Sequence, residues 1–344
     1  MLVKSDLIQL AKTVANANPA SQVAYSYKDT NLSYSALNET LRKELNELAG
    51  TNTLFRANAP VVFEIIEETI NDVLPKKVEE QYGMFAEVRT FAQGDRPRFV
   101  QKITTAAKRR AKQFVTKVGL AGVYEVFKLD GKYVDVNTEA WGGAAQIGFE
   151  EFLDGRVDFA DLTEIIIEGL DEAVYKEIAK ALIAAVTRLQ DANKSTQTEF
   201  VEAEMDRLIQ IADSYGKATI YCTYEFAATM VPAEGWRSDE HRNERWNKGY
   251  IANYKGHNVI VLDQSFVDET NTTKVIDPSY AYIIPTENSK PVKIAFEGGT
   301  LVKEVDNQDW SREMRFYKKF GVATLITNNV CVYRNTSLTI ESTI

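Results

Sequence analysis

Apolar side chains recur every three or four positions near the start of the chain, at Leu7, Leu10, Ala11 and Val14, and again at Leu37, Leu41, Leu45 and Leu48. That spacing gathers them on one face of a helix, and Gly50 stands where a helix end is commonly capped. Between the two, Val23 to Tyr27 alternates as a strand does. These elements are short and offer no obvious shared core, so residues 1–60 read as an arm that packs on something else. Val61 to Tyr82 predicts a further helix, with Ile65, Ile66, Ile70, Val73 and Leu74 largely on one side and Gly83 as its end. Pro75 falls inside it and predicts a kink, because proline has no N–H to donate and its ring crowds the preceding turn.

From Phe85 to Val136 the pattern turns strand-like. Within it Val123 to Leu129 and Lys132 to Val136 flank Asp130-Gly131, a dipeptide that strongly favours a tight hairpin turn. The arms carry thin apolar content, so the hairpin should project and find support on a neighbouring molecule, since an isolated two-stranded ribbon is marginal in water. The most regular stretch follows, with Leu162, Ile166, Leu170, Val174, Ile178, Leu182, Ala185 and Leu189 at helical spacing. Phe159 to Asp191 would give a helix of roughly 33 residues and roughly 50 Å, several times the average length. Asp158 is its candidate N-cap, Asp161 and Glu164 suit the positive first turn, and Arg188 suits the negative last one. Gly169 in its interior costs about 1 kcal/mol relative to Ala.

A helix from Phe200 to Ile211, a strand from Ala218 to Cys222 and a helical turn from Tyr224 to Met230 come next. The remaining segments alternate as strands: Tyr250 to Tyr254 and Asn258 to Leu262 around Lys255-Gly256, then Tyr280 to Ile284, Val292 to Phe296, Arg312 to Tyr317, Val322 to Ile326 and Val330 to Tyr333. The chain is therefore α+β, with helices and strands partly segregated.

Composition narrows the functional classes. The 344 residues are 44% hydrophobic and 26% charged with a net charge of -9, which excludes a disordered, collagen-like or disulfide-scaffold chain. No run approaches the roughly 20 apolar residues of a membrane-spanning helix, and Met1 to Lys12 lacks a signal pattern. Cys222 and Cys331 lie in apolar runs and read as buried free thiols suited to a reducing cytoplasm. His241 and His257 are too few and too far apart for a histidine-based metal site. Gly143 to Gly148 has phosphate-loop spacing, but Phe149-Glu150 stands where Lys-Ser/Thr is required. Neither a Gly-x-Gly-x-x-Gly fingerprint nor a Gly-x-Ser-x-Gly elbow occurs. Nothing in the sequence resembles an active site, and no catalytic, cofactor-binding or metal-binding residue is nominated.

One charge asymmetry stands out. Arg96, Arg98, Lys102, Lys108, Arg109, Arg110, Lys112 and Lys117 fall in a segment without an acid, whereas Glu150 to Glu177 is densely acidic, with Glu164 and Glu168 inside the long helix. The two segments read as complementary surfaces between subunits, as a basic strip for nucleic acid, or as two solvated faces that never meet.

The run Gln146-Ile147-Gly148-Phe149-Glu150-Glu151-Phe152-Leu153-Asp154-Gly155 leading to Ala179-Lys180-Ala181-Leu182 resembles the entry to the spine helix of tailed-phage major capsid proteins, the Hong Kong 97 fold. The tail resembles the closing strands of such proteins at Asp309-Trp310-Ser311-Arg312, Phe320-Gly321-Val322-Ala323, Asn328-Asn329 and Tyr333-Arg334-Asn335. The resemblance implies an N-terminal arm over 1–60, a helix and first peripheral-domain strands over 61–97, and an extended loop over 98–147. It further implies a peripheral domain with the spine helix over 148–199, an axial domain over 200–305 and returning peripheral strands over 306–344.

On that resemblance the chain is no enzyme and needs no cofactor. It would assemble as pentamers and hexamers into an icosahedral phage or prophage head around double-stranded DNA, in the bacterial host cytoplasm, with a separate scaffolding protein and a portal and no membrane. The candidate subunit-interface residues are Arg109, Arg110 and Lys112 in the basic strip, Lys128, Asp130, Gly131 and Lys132 at the loop tip, Glu164 and Glu168 on the spine, and Trp236 and Trp246 at the capsomer centre. The family sometimes joins a loop lysine to an asparagine of another subunit, which here implies Lys128 or Lys132 with Asn328 or Asn329. An encapsulin-like compartment shell is the alternative of the same fold, and a nucleic-acid-binding protein using residues 96–117 is the alternative of another class.

Overall fold

The computed structural model describes residues 4–17, 24–27, 30–101, 132–145, 159–231, 239–266, 270–285, 290–306, 312–324 and 330–338. They fall into two compact units, each assembled from segments distant in sequence.

The first unit comprises Met1–Pro97, Val136–Tyr175 and Ile294–Val322. It opens with α1 (Lys4–Ala15), a short hairpin of β1 (Tyr25–Tyr27) and β2 (Thr30–Leu32), α2 (Tyr34–Ala49) and α3 (Asn52–Tyr82). Ser33 caps α2 by accepting a hydrogen bond from the Ala36 N–H, and the Gly50 N–H closes it on the Asn46 carbonyl at 2.8 Å. These elements, expected to lack a shared core, have one. Leu7, Leu10, Ala11 and Val14 of α1 and Leu37, Leu41 and Leu45 of α2 are all buried, and both helices pack on α3. The reason lies in α3, whose buried positions run from Val62 through Ile65, Ile66, Ile70, Val73 and Leu74 to Val78, a stripe long enough to serve two partners. Lys4 with Glu64, and Lys12 with Glu68 at 3.6 Å, align the rim of that contact.

α3 also begins earlier than its apolar pattern suggested. Thr51 accepts from the Leu54 N–H at 3.3 Å, and the helix runs through both Pro60 and Pro75. The interior proline removes a backbone bond, yet Val73, Leu74 and Val78 are buried on both sides of Pro75, and this packing outweighs the loss.

The sheet of this unit has the order β3-β12-β13-β6. Its strands are β3 (Ala86–Phe91), β6 (Glu139–Ala145), β12 (Val292–Asp306) and β13 (Arg312–Thr324). β13 pairs antiparallel with β6 from Phe320↔Glu139 to Met314↔Ala145. Glu139–Ala145 is thus a sheet strand, although its two glycines and three alanines gave no strand pattern. The pairs predicted as separate short strands at Arg312 and Val322 are one continuous element.

The second unit comprises Arg98–Asp135, Lys176–Lys293 and Ala323–Ile344. β4 (Arg98–Gln101) pairs antiparallel with β5 (Lys132–Asp135), and the Arg98 guanidinium bonds Asp135 at 2.9 Å. β5 covers one arm of the predicted ribbon, Lys132 to Val136, and its partner here is β4, which was not part of that hairpin. The ribbon's other arm, Val123 to Leu129, and the Asp130-Gly131 turn lie outside the described residues.

A six-stranded sheet of order β7-β14-β11-β8-β10-β9 forms the rest. Its strands are β7 (Lys194–Gln197), β8 (Ala218–Thr223), β9 (Asn253–Tyr254), β10 (His257–Leu262), β11 (Tyr280–Pro285) and β14 (Cys331–Asn335). Helix α5 (Glu202–Asp213) packs Met205, Leu208, Ile209 and Ala212 into a core with Ile220, Phe226, Tyr254, Ile283 and Tyr333. The short helix α6 (Tyr224–Thr229) supplies that Phe226, and α7 (Asp239–Lys248) is polar almost throughout. The Tyr333 hydroxyl accepts from the Val201 N–H at 2.8 Å and donates to the Glu199 carbonyl at 2.9 Å, so a buried polar group is satisfied twice. The Lys255-Gly256 turn takes positive φ at both residues, as a tight hairpin requires, and the strand before it shrinks to Asn253–Tyr254.

The long helix α4 (Phe159–Arg188) contributes residues up to Tyr175 to the first unit and from Lys176 to the second. It stops short of Asp191 because Asp191–Asn193 tightens into a 3₁₀ turn that feeds β7.

Candidate assembly surfaces

The two faces of α4 differ sharply. Ile166, Ile167, Leu170 and Val174 are buried, and the opposite face carries exposed Glu164, Ile165, Glu168 and Gly169. Ile165 is 57% exposed, a large apolar side chain on the same open face as Glu164 and Glu168, which both lie to one side of it. A Cβ added at Gly169 would meet nothing within 4 Å among the described residues.

The four-stranded sheet shows the same division. Its covered face holds Phe296, Val302 and Phe320, together with a polar cluster that the sequence pattern did not reveal. Asn71 Oδ1 of α3 accepts from the Thr300 N–H at 2.7 Å, the Thr300 hydroxyl at 2.9 Å and the Lys318 ammonium at 2.7 Å. Lys318 also donates to the Gly298 carbonyl at 2.8 Å, and the Val302 N–H donates to Glu67 at 2.6 Å. Burial lowers the Lys318 pKa to about 8, and it raises that of Glu67 above the usual carboxylate value. Helix α3 is therefore tied to the sheet by bonds made in a dry environment, a structural arrangement with no reacting partner in it.

The other face of that sheet forms a groove. Leu301 is 47% exposed and Tyr317 38%, with Lys303 and Arg315 beside them and Gly142 and Ala144 as the floor. The register puts Tyr317 opposite Gly142 and Arg315 opposite Ala144. A Cβ on Gly142 would lie 2.4 Å from the Phe316 carbonyl oxygen, so the floor admits no side chain at that position. The alternation Leu301-Val302-Lys303 was the available signal for the open face, and the strand pattern read from Val292 to Phe296 ended before it.

Of the residues singled out by sequence, Arg109, Arg110, Lys112, Lys128, Asp130, Gly131 and Trp236 lie outside the described residues, as do Asn328 and Asn329. Lys132 opens β5 opposite Gln101. Trp246 lies in the last turn of α7 and is 89% exposed, far more than packing within one chain would leave a tryptophan.

Among the described residues there is no group of three or more His, Cys, Asp or Glu placed to hold a metal ion, and no helix long and apolar enough to cross a membrane. His257 is tied to the Ala218 carbonyl at 3.2 Å and to Asp213 at 3.4 Å. Both cysteines are free and buried, with their thiols pushed up to about 12 by burial, so neither is a thiolate at neutral pH.

Residues 6–333 match the family described as "SPbeta prophage-derived putative capsid protein YonB". The chain belongs to this prophage capsid protein family. Membership assigns it a structural role in a capsid, and the exposed ridge, groove and tryptophan are to be read as surfaces of a capsid protein. No curated protein sequence matches it. Among solved structures, the capsid protein is similar to a phage-related protein from Bordetella bronchiseptica, with 12% identity over 80% of this chain and 97% of that one and a TM-score of 0.47. It is also similar to a chain from the head of Helicobacter pylori bacteriophage KHP40, with 12% identity, coverage of 75% and 91% and a TM-score of 0.46. Similarity extends to the SrpI encapsulin of Synechococcus elongatus, with 9% identity, coverage of 62% and 78% and a TM-score of 0.40.

Proposed function

We propose that this capsid protein is the major shell subunit of a phage or prophage head, self-assembling as pentamers and hexamers of the Hong Kong 97 type into an icosahedral container for double-stranded DNA. The observation that carries the reading is the family match from residue 6 to residue 333. The apolar groups left in the open, Ile165, Leu301, Tyr317 and Trp246, agree with it, because side chains of this size on one chain are what neighbouring copies cover.

In this reading residues 1–60 are the arm, 98–147 the extended loop, 148–199 the peripheral domain with the spine and 200–305 the axial domain. The loop tip at Lys128 to Lys132 rests on a neighbouring subunit, Trp236 and Trp246 meet their equivalents at the capsomer centre, and the segments Arg96 to Lys117 and Glu150 to Glu177 are charged contact surfaces. The protein performs no catalysis. A separate scaffolding protein guides assembly in the host cytoplasm, a portal occupies one vertex, and DNA contacts the shell without sequence preference. Electron microscopy of the protein expressed alone and with its candidate scaffold tests this. Closed shells, efficient only with the scaffold and protecting DNA from nuclease, are expected. Protein cargo in place of DNA would mark a compartment shell, and a persistent monomer would refute the reading. Reversing Arg109 and Arg110 to Glu is expected to lower particle yield while the monomer stays folded.

A further inference from the structure

We infer that the exposed acidic ridge of α4 on one subunit docks into the open groove of the four-stranded sheet on a second copy of this chain. The inference rests on the assembly reading above and adds to it which surfaces meet.

The two surfaces complement each other in shape and charge. The ridge is convex, with Glu164 and Glu168 to one side of Ile165 and Gly169 to the other, where it leaves room for close backbone approach. The groove is concave, with a floor at Gly142 and Ala144 that holds no long side chain, apolar walls at Leu301 and Tyr317, and cations at Lys303 and Arg315. An apolar knob with anions beside it thus faces an apolar hole with cations beside it. Burial of Ile165 against Leu301 and Tyr317 supplies attraction, and the charges fix register and exclude a shifted pairing.

Gly169 points the same way. It weakens the helix that contains it, and among the described residues nothing touches the space where a Cβ would stand. Space kept open at that cost is explained when another molecule uses it. Ridge and groove are different surfaces of the same chain, so the contact is head-to-tail, the type that closes into rings when the rotation between copies divides a full turn.

The test uses full-length chain with its scaffold, particle yield by sedimentation and microscopy, and monomer melting temperature as the folding control. Lys303→Glu with Arg315→Glu should abolish particles without lowering the melting temperature. Glu164→Lys with Glu168→Lys should do the same, and combining all four should restore particles. Gly169→Leu should melt no lower than wild type, because leucine favours the helix, and should still lose particles. Normal yield from either charge pair or from Gly169→Leu overturns the inference and leaves the assembly reading standing. So does rescue of the Glu164→Lys, Glu168→Lys protein by Arg109→Glu with Arg110→Glu, which would place the ridge on the basic strip. Failure of wild-type protein to form particles with any scaffold removes the assembly reading and the inference together.

Discussion

The two larger sheets of this capsid protein are built to different ends. In the six-stranded sheet every residue of β8 and five of the six in β11 are buried, so both faces are covered by the protein itself. In the four-stranded sheet one face is sealed by α3 through Asn71, Thr300 and Lys318, while Leu301 and Tyr317 stand on the other in solvent. A sheet wrapped on both sides serves stability. One left open, with apolar walls and a floor without long side chains, keeps a place for something else.

The sharpest way to break this contrast is to truncate one side chain from each sheet's surroundings. Phe226→Ala empties a fully buried position beside Tyr333 and should cost about 3–5 kcal/mol in urea denaturation. Tyr317→Ala on the open face should leave stability within about 0.5 kcal/mol of wild type and lower assembly instead. Equal losses of stability would erase the distinction.

Next in size is the helical layer. Leu41→Ala should cost about 2–4 kcal/mol, because α2 shares a core with α3. A negligible change would show that the arm, residues 1–60, has no core of its own with α3 and depends on other molecules.

A smaller effect concerns the sealed face. Lys318 titrates at about 8 in the folded protein against 10.5 for a free lysine, because burial disfavours its charge. Between those values the unfolded chain binds more protons than the folded one, so the lysine's contribution to stability should rise with pH, by about 1–3 kcal/mol. Below pH 8 both states are charged and the slope vanishes. Lys318→Met should abolish the rise, which separates it from buried tyrosines such as Tyr221, whose phenol is pushed up to about 12 and whose contribution falls only above pH about 10. An identical pH slope in the variant would show that Lys318 is not held in a dry site. The smallest effect is chemical: Cys222 and Cys331 should resist a thiol-disulfide reagent until the protein unfolds, and prompt labelling of the native protein would contradict their burial.

Elements whose signals are local were legible in the sequence. The period of α4 runs unbroken, and Lys255-Gly256 announces its own turn. Features that depend on distant partners were not legible. Glu139–Ala145 becomes a strand because β13 supplies its hydrogen bonds, not because Gly142 and Gly143 favour one. The shared core of α1, α2 and α3 needs three amphipathic stripes to meet, and each stripe alone shows only that a partner exists. Lys318 and Asn71 are 247 positions apart and meet only in the fold. On the surfaces, Glu164 and Glu168 were visible as charge, whereas Ile165, Gly169 and the groove required knowing which faces remain open.

The most direct measurement is a three-dimensional reconstruction of particles formed by the full chain. The account predicts closed shells in which the Leu301 and Tyr317 face and the Ile165 ridge both lie at boundaries between subunits. Shells in which both surfaces face bulk solvent would contradict it.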